Sequence, residues 1–143
     1  MYLIALDEMR PDVSISQVYA NTQARTKDFF TANQIDDEEW AAFSRVLDND
    51  IGSLKESDIV SDGYVIHTLE ASFWCLLNSQ SYEAAVLKAV NLGHDTDTTG
   101  AVTGGLAGMF YGFDTIPEKW VTVLPKKELI NSICSKLEKT CQT

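Results

Sequence analysis

Apolar residues recur at three- and four-residue spacing along most of the chain, the period of an α-helix whose one face is buried. A first helix is expected over residues 16–30, with a weak apolar pattern. A second is expected to start at Asp36, whose side chain can cap free backbone N–H groups; Glu39, three residues on, completes a capping-box-like pair. Trp40, Phe43, Val46 and Leu47 then share one face. Residues 48–60 are polar and read as a loop. Residues 64–78 form the most apolar helix, with Val65, Ile66, Leu69, Phe73, Trp74 and Leu77 covering more than one side. Ser81 caps the next helix, Glu83 suits its first turn, and Gly93 supplies a left-handed stop. A glycine-rich helix follows over 98–111. Pro117 opens a short helix to Trp120, and Pro125 introduces a last amphipathic helix carrying Leu129, Ile130, Ile133 and Leu137. Residues 121–124 are β-prone, but no partner strand is evident. The expectation is an all-α fold, one orthogonal helical domain over residues 1–143 without repeats or low-complexity linkers.

Composition narrows the function classes. At 143 residues and 45% hydrophobic, the chain can bury one core of its own. Its apolar runs, such as residues 71–77, are too short to span a bilayer, so no membrane partner is expected. The N-terminus lacks the basic region of a secretory leader, which makes the cytoplasm the expected location. A formal net charge of −10 argues against recognition of nucleic acid through its phosphates. The same charge fits a cation site, although acidity serves solubility in many proteins. Cys75, Cys134 and Cys141 show neither zinc-site spacing nor a disulfide framework, and Cys75 reads as a small core residue.

Candidate chemistry is concentrated in residues 91–112. Asp95, Asp97 and Thr98 offer hard oxygen ligands within four residues, a donor set suited to Mg²⁺, Mn²⁺ or Ca²⁺ and not to zinc or copper. Three such ligands do not complete a six-coordinate shell; water, substrate or other residues must supply the rest. Taken alone, an Asp-x-Asp-Thr run reads as a helix start, with Asp97 or Thr98 as the cap and Asp95 as a surface charge. Gly100, Gly104, Gly108 and Gly112 change that balance. They recur every four residues on one slanting ridge, each at a cost of about 1 kcal/mol of helix propensity relative to alanine. Something must come close to that face, either another helix or the backbone lining a ligand site.

With the surrounding motifs, residues 91–112 resemble the C-terminal signature of the ADP-ribosylglycohydrolase family, the dinitrogenase-reductase-activating glycohydrolase type. That signature reads roughly Leu-Gly-Gly-Asp-Thr-Asp-Thr, then small residues, then Leu-Ala-Gly-x-Tyr-Tyr-Gly. Upstream, residues 61–71 resemble the family segment Ser-Ser-Gly-Tyr-Val-x-x-Thr-Leu-Glu-Ala. Trp74-Cys75 and Ile116-Pro117-Glu118-x-Trp120 also follow its pattern. The motifs are clearest over residues 61–120. The resemblance implies an all-α fold like the C-terminal half of that family's. It further implies two bound Mg²⁺ ions, or Mn²⁺, with Asp95, Asp97 and Thr98 on the C-terminal metal ligands and Asp95 or Asp97 accepting a proton. Ser61, Gly63, Tyr64 and His94 are the substrate-facing candidates. The implied activity is hydrolysis of the bond between ADP-ribose and a protein side chain or small acceptor. The alternative is a non-catalytic ADP-ribose-binding or interaction module.

Two departures from the family pattern stand out. His94 occupies a position where the family has a small residue, and it reads as a surface substitution. The Thr-Asp-Asp-Thr and Gly-Asp-x-x-Gly motifs of the family's N-terminal half are not found; Asp36-Asp37 is a helix start. The expected partners are therefore ADP-ribose or an ADP-ribosylated substrate, together with a missing N-terminal half or a second copy of the chain. His67, Trp74, Phe110, Tyr111 and Trp120 read as packing or surface residues.

Overall fold

The computed structural model describes residues 1–141, and every regular element among them is helical. The eight α-helices are α1 (Tyr2–Glu8), α2 (Ile15–Ala32), α3 (Asp37–Asp48), α4 (Val65–Leu77), α5 (Tyr82–Asn91), α6 (Thr96–Tyr111), α7 (Glu118–Thr122) and α8 (Lys127–Cys141). Short 3₁₀ turns sit at Ile51–Ser53, Glu56–Asp58 and Phe113–Thr115. The capping residues read from the sequence act as expected. Asp36 accepts a hydrogen bond from the Glu39 N–H at 2.8 Å, and Ser81 accepts one from the Ala84 N–H at 3.1 Å.

The apolar helix α4 is central. Its residues Ala71, Ser72, Phe73, Trp74, Cys75 and Leu76 are consecutive and all buried, so the C-terminal half of the helix is enclosed on every side. It packs against α6, α5, α2, α3 and the Ile51 turn. Burial pushes the Cys75 thiol up to about 12, which suits an inert core residue. Tyr19 of α2 packs against Phe73 with tilted rings whose centroids are 5.3 Å apart, and its hydroxyl donates to the Val46 carbonyl at 2.6 Å. Gln23 reaches the carbonyls of Val46 and Asn49 at 2.9 and 3.0 Å, satisfying the end of α3.

Two segments differ from the sequence reading. Helix α1 lies where no helix was expected; it is pinned to α2 by Arg25, which pairs with Asp7 and Glu8. The segment 48–60 is ordered by 3₁₀ turns, with Ile51 fully buried and the Leu54 carbonyl accepting from the Trp74 indole at 2.9 Å. As expected, the β-prone residues 121–124 form no strand: they begin as the end of α7, and no strand exists among the described residues to pair with them.

Three glycines of the ridge, Gly100, Gly104 and Gly108, face α5, whereas Gly112 is the C-cap of α6 and a Cβ there would meet nothing within 4 Å. A Cβ on Gly100 would lie 3.1 Å from a Val90 methyl, and one on Gly104 would lie 3.3 Å from the Tyr82 hydroxyl, both on α5. Of the two explanations for the spacing, close approach of another helix is the one realised.

Candidate functional site

Helix α6 begins at Thr96, and Asp95 is its N-cap. This corrects the reading in which Asp97 or Thr98 capped the helix and Asp95 was a surface charge. The Asp95 carboxylate accepts from the Thr98 N–H at 3.4 Å, while Asp97 and Thr98 occupy the first turn and are exposed. Asp95 and Asp97 therefore approach each other through the curl of a helix start rather than along an extended turn. Hydrogen bonding from Thr98, and then the neighbouring Asp97 carboxyl, hold the Asp95 carboxyl below the usual carboxylate range.

The second motif, far upstream in the chain, locks this turn in place. The Asp95 N–H donates to the Ser61 carbonyl at 2.9 Å, and the Ser61 hydroxyl donates to the Gly93 carbonyl at 3.0 Å. Ser61 is buried. Gly63 sits at φ +83°, and a Cβ there would lie 2.5 Å from Asp95 Oδ2. Glycine is required both for that backbone conformation and for the approach of the carboxylate. The turn between α5 and α6 carries two successive left-handed residues, Gly93 at φ +84° and His94 at φ +56°. His94 is exposed and lines a depression shared with Ser61 and Asp62.

Ser61, Gly63, Asp95, Asp97 and Thr98 thus form one cluster. Tyr64 stands beside it at the N-cap of α4, about half exposed rather than packed in the core. Two partners escaped the sequence reading. Asp62 accepts from the Tyr64 N–H at 3.1 Å and pairs with His67 Nδ1 at 2.9 Å. That pairing, with His67 first, holds the Asp62 carboxyl below the usual range. The His67 ring meets Tyr64 edge-on at 5.1 Å, so this histidine orders the start of α4. Glu70 is buried and bonded to Arg45 Nε at 2.8 Å; burial raises its carboxyl and Arg45 opposes the rise. An i, i+5 Asp–His spacing was visible in the sequence, whereas the Arg45–Glu70 pair joins α3 to α4 and left no local signal. Trp74, Trp120, Phe110 and Tyr111 pack within the helical body, Tyr111 by donating to the Ser79 carbonyl at 2.8 Å.

Beside the cluster opens a cleft of about 390 Å³ between α1, α3, α4 and α6, with Gly63 and Thr98 on its wall. As a metal centre, the cluster has the right donor chemistry, two carboxylates and a hydroxyl, for a hard divalent cation. It is short in number: among the described residues, no group of three or more His, Cys, Asp or Glu side chains is placed to hold a metal ion.

Comparison with known proteins gives the family. The family model for ADP-ribosylglycohydrolase matches residues 4–143. The chain is 42% identical over 96 residues to the ADP-ribosylarginine hydrolase Tri1 of Serratia proteamaculans, covering 65% of this chain and 26% of that protein. It is 39% identical over 79 residues to the Pseudomonas putida protein of the same name, covering 55% and 21%. It is 36% identical over 67 residues to the ADP-ribosyl-dinitrogen reductase glycohydrolase of Rhodospirillum rubrum, covering 47% and 23%. The chain spans about a quarter of the length of these curated relatives.

Proposed function

Because the chain belongs to the ADP-ribosylglycohydrolase family, we propose that it carries the Asp95–Asp97–Thr98 part of an active site that hydrolyses the bond between ADP-ribose and a protein side chain. The observation that carries this reading is the convergence of two separated motifs, with Ser61 and Gly63 holding Asp95 at the head of α6. A structural cap alone does not require a glycine opposite its carboxylate. Arginine is the acceptor named in two of the relatives, and ADP-ribosylarginine is the substrate to test.

In this reading Asp95, Asp97 and Thr98 hold Mg²⁺ or Mn²⁺, with the remaining ligands from water, substrate or other parts of the enzyme. Bound there, the ion supplies orientation of the ribose hydroxyls and stabilisation of negative charge on the attacking oxygen. Asp95, held ionised by its partners, keeps a full negative charge at neutral pH. Asp97 is exposed in the first turn and accepts the proton of the attacking water as general base. Ser61 and Gly63 position the turn. The single-chain shortage of ligands favours a second reading, an ADP-ribose-binding module without turnover.

Incubation of the chain with Mg²⁺ and an ADP-ribosylarginine protein separates the two. Release of ADP-ribose that disappears in Asp97→Ala is the expected result. No release, with calorimetry still detecting ADP-ribose binding, would leave the binding module as the function of this chain.

A further inference from the structure

Helix α8 is amphipathic and has no covered face. Every residue from Lys127 to Cys141 is exposed, including Leu129, Ile130, Ile133 and Leu137, which are 54, 40, 57 and 64% accessible. A soluble helix with four large aliphatic residues on one stripe has somewhere to put them. Its charge also sets it apart. Lys127, Lys136 and Lys139 outnumber Glu128 and Glu138 on a chain whose formal charge is −10, so the rest of the molecule is strongly acidic. By helical period, Lys127 and Lys136 fall on the two flanks of the aliphatic stripe.

The cleft beside the Asp95 turn has the matching chemistry. Tyr2, Phe43, Val65, Ile66, Leu69 and Val102 line it, and Val65 is 71% exposed. Carboxylates adjoin several of its lining residues. Asp62 adjoins Gly63, Asp95 lies against Gly63, Asp97 adjoins Thr98, and Glu39 stands one turn from Phe43 on the same side of α3. We propose that α8 of one copy seats its aliphatic stripe in this cleft of a second copy, with Lys127 and Lys136 over the acidic rim. An apolar stripe between lysines complements an apolar floor between carboxylates in both respects. The contact is heterologous, and it closes into a dimer when two copies exchange α8 reciprocally. The seated helix covers Thr98 and the Asp95–Asp97 turn, so this contact and a cation or substrate bound there exclude each other.

Sedimentation velocity on the full chain over a concentration series tests this. One 15-residue helix in a groove makes a small interface, so the mean mass is expected to rise above the monomer at concentrations on the order of tens of micromolar and to fall back at high salt. Ile133→Asp on α8 and Val65→Asp in the cleft change exposed residues, so helicity by circular dichroism is retained, and each abolishes the association. An equimolar mixture of the two variants regains it in part, since one intact α8 meets one intact cleft. A chain that stays monomeric throughout would overturn the proposal. So would association that survives either variant; loss in Ile133→Asp alone would instead mean that α8 pairs with α8 or with another surface.

Discussion

At the scale of single residues, Asp95 has two separable duties. As N-cap it satisfies a free N–H of α6, and as a carboxylate it presents charge at the head of that helix. Asp95→Asn keeps a capping oxygen and removes the charge; Asp95→Ala removes both. The expected outcome is near-normal stability for Asn and a loss of about 1 kcal/mol for Ala by chemical denaturation, with ADP-ribose release lost in both. Equal activity in Asn and wild type would reduce Asp95 to a cap. Gly63→Ala is expected to cost about 1–3 kcal/mol, combining a left-handed alanine with displacement of the Asp95 carboxylate, and to lower activity by more than that stability loss accounts for. The identities of Asp95, Asp97, Thr98, Ser61 and Gly63 were legible in the sequence. Which of them caps α6 was not, because any Asp or Thr in such a run can cap, and only the Ser61 contact selects Asp95.

Among elements, α6 shows why glycine spacing is ambiguous until a neighbour is placed. Gly100 lies tight against Val90 of α5, whereas a Cβ at Gly108 would meet Tyr82 at an ordinary 3.7 Å. Gly108→Ala is therefore expected to stabilise the protein by about 0.5–1 kcal/mol through helix propensity. Gly100→Leu is expected to destabilise it by about 1–3 kcal/mol through overpacking against α5. Urea denaturation of the two variants reads both signs, and a loss of stability in Gly108→Ala would show that the ridge is closed along its whole length. Helices α3 to α6 were predictable because capping side chains and periodic apolar residues act locally. Helix α1 was not, since its seven residues are held by Arg25 and by packing against α2 rather than by any cap of their own.

For the whole molecule, the donor count sets the expectation for metal. Two carboxylates and one hydroxyl give Mg²⁺ few reasons to shed its waters, so saturating Mg²⁺ is expected to raise the melting temperature by less than about 5 °C. A larger shift, measured by calorimetry and lost in Asp97→Ala, would mean that further groups of the chain join Asp95, Asp97 and Thr98 to complete a cation site. The electrostatic asymmetry between α8 and the acidic body also emerges only at this scale, since neither the exposed stripe nor the cleft is informative until both are placed.

By itself the sequence determined the all-α class, the main helices and the residue types at the Asp95 turn. These follow from periodicity, capping and side-chain chemistry, which act over a few residues. Only the tertiary structure decided that the glycine ridge packs on α5, that Ser61 and Gly63 hold Asp95, that Glu70 is buried against Arg45, and that α8 is left uncovered. Each of these is a contact, or the lack of one, between segments far apart in the chain. A local pattern can state that a face needs covering, but the packing of the other helices determines what lies against it.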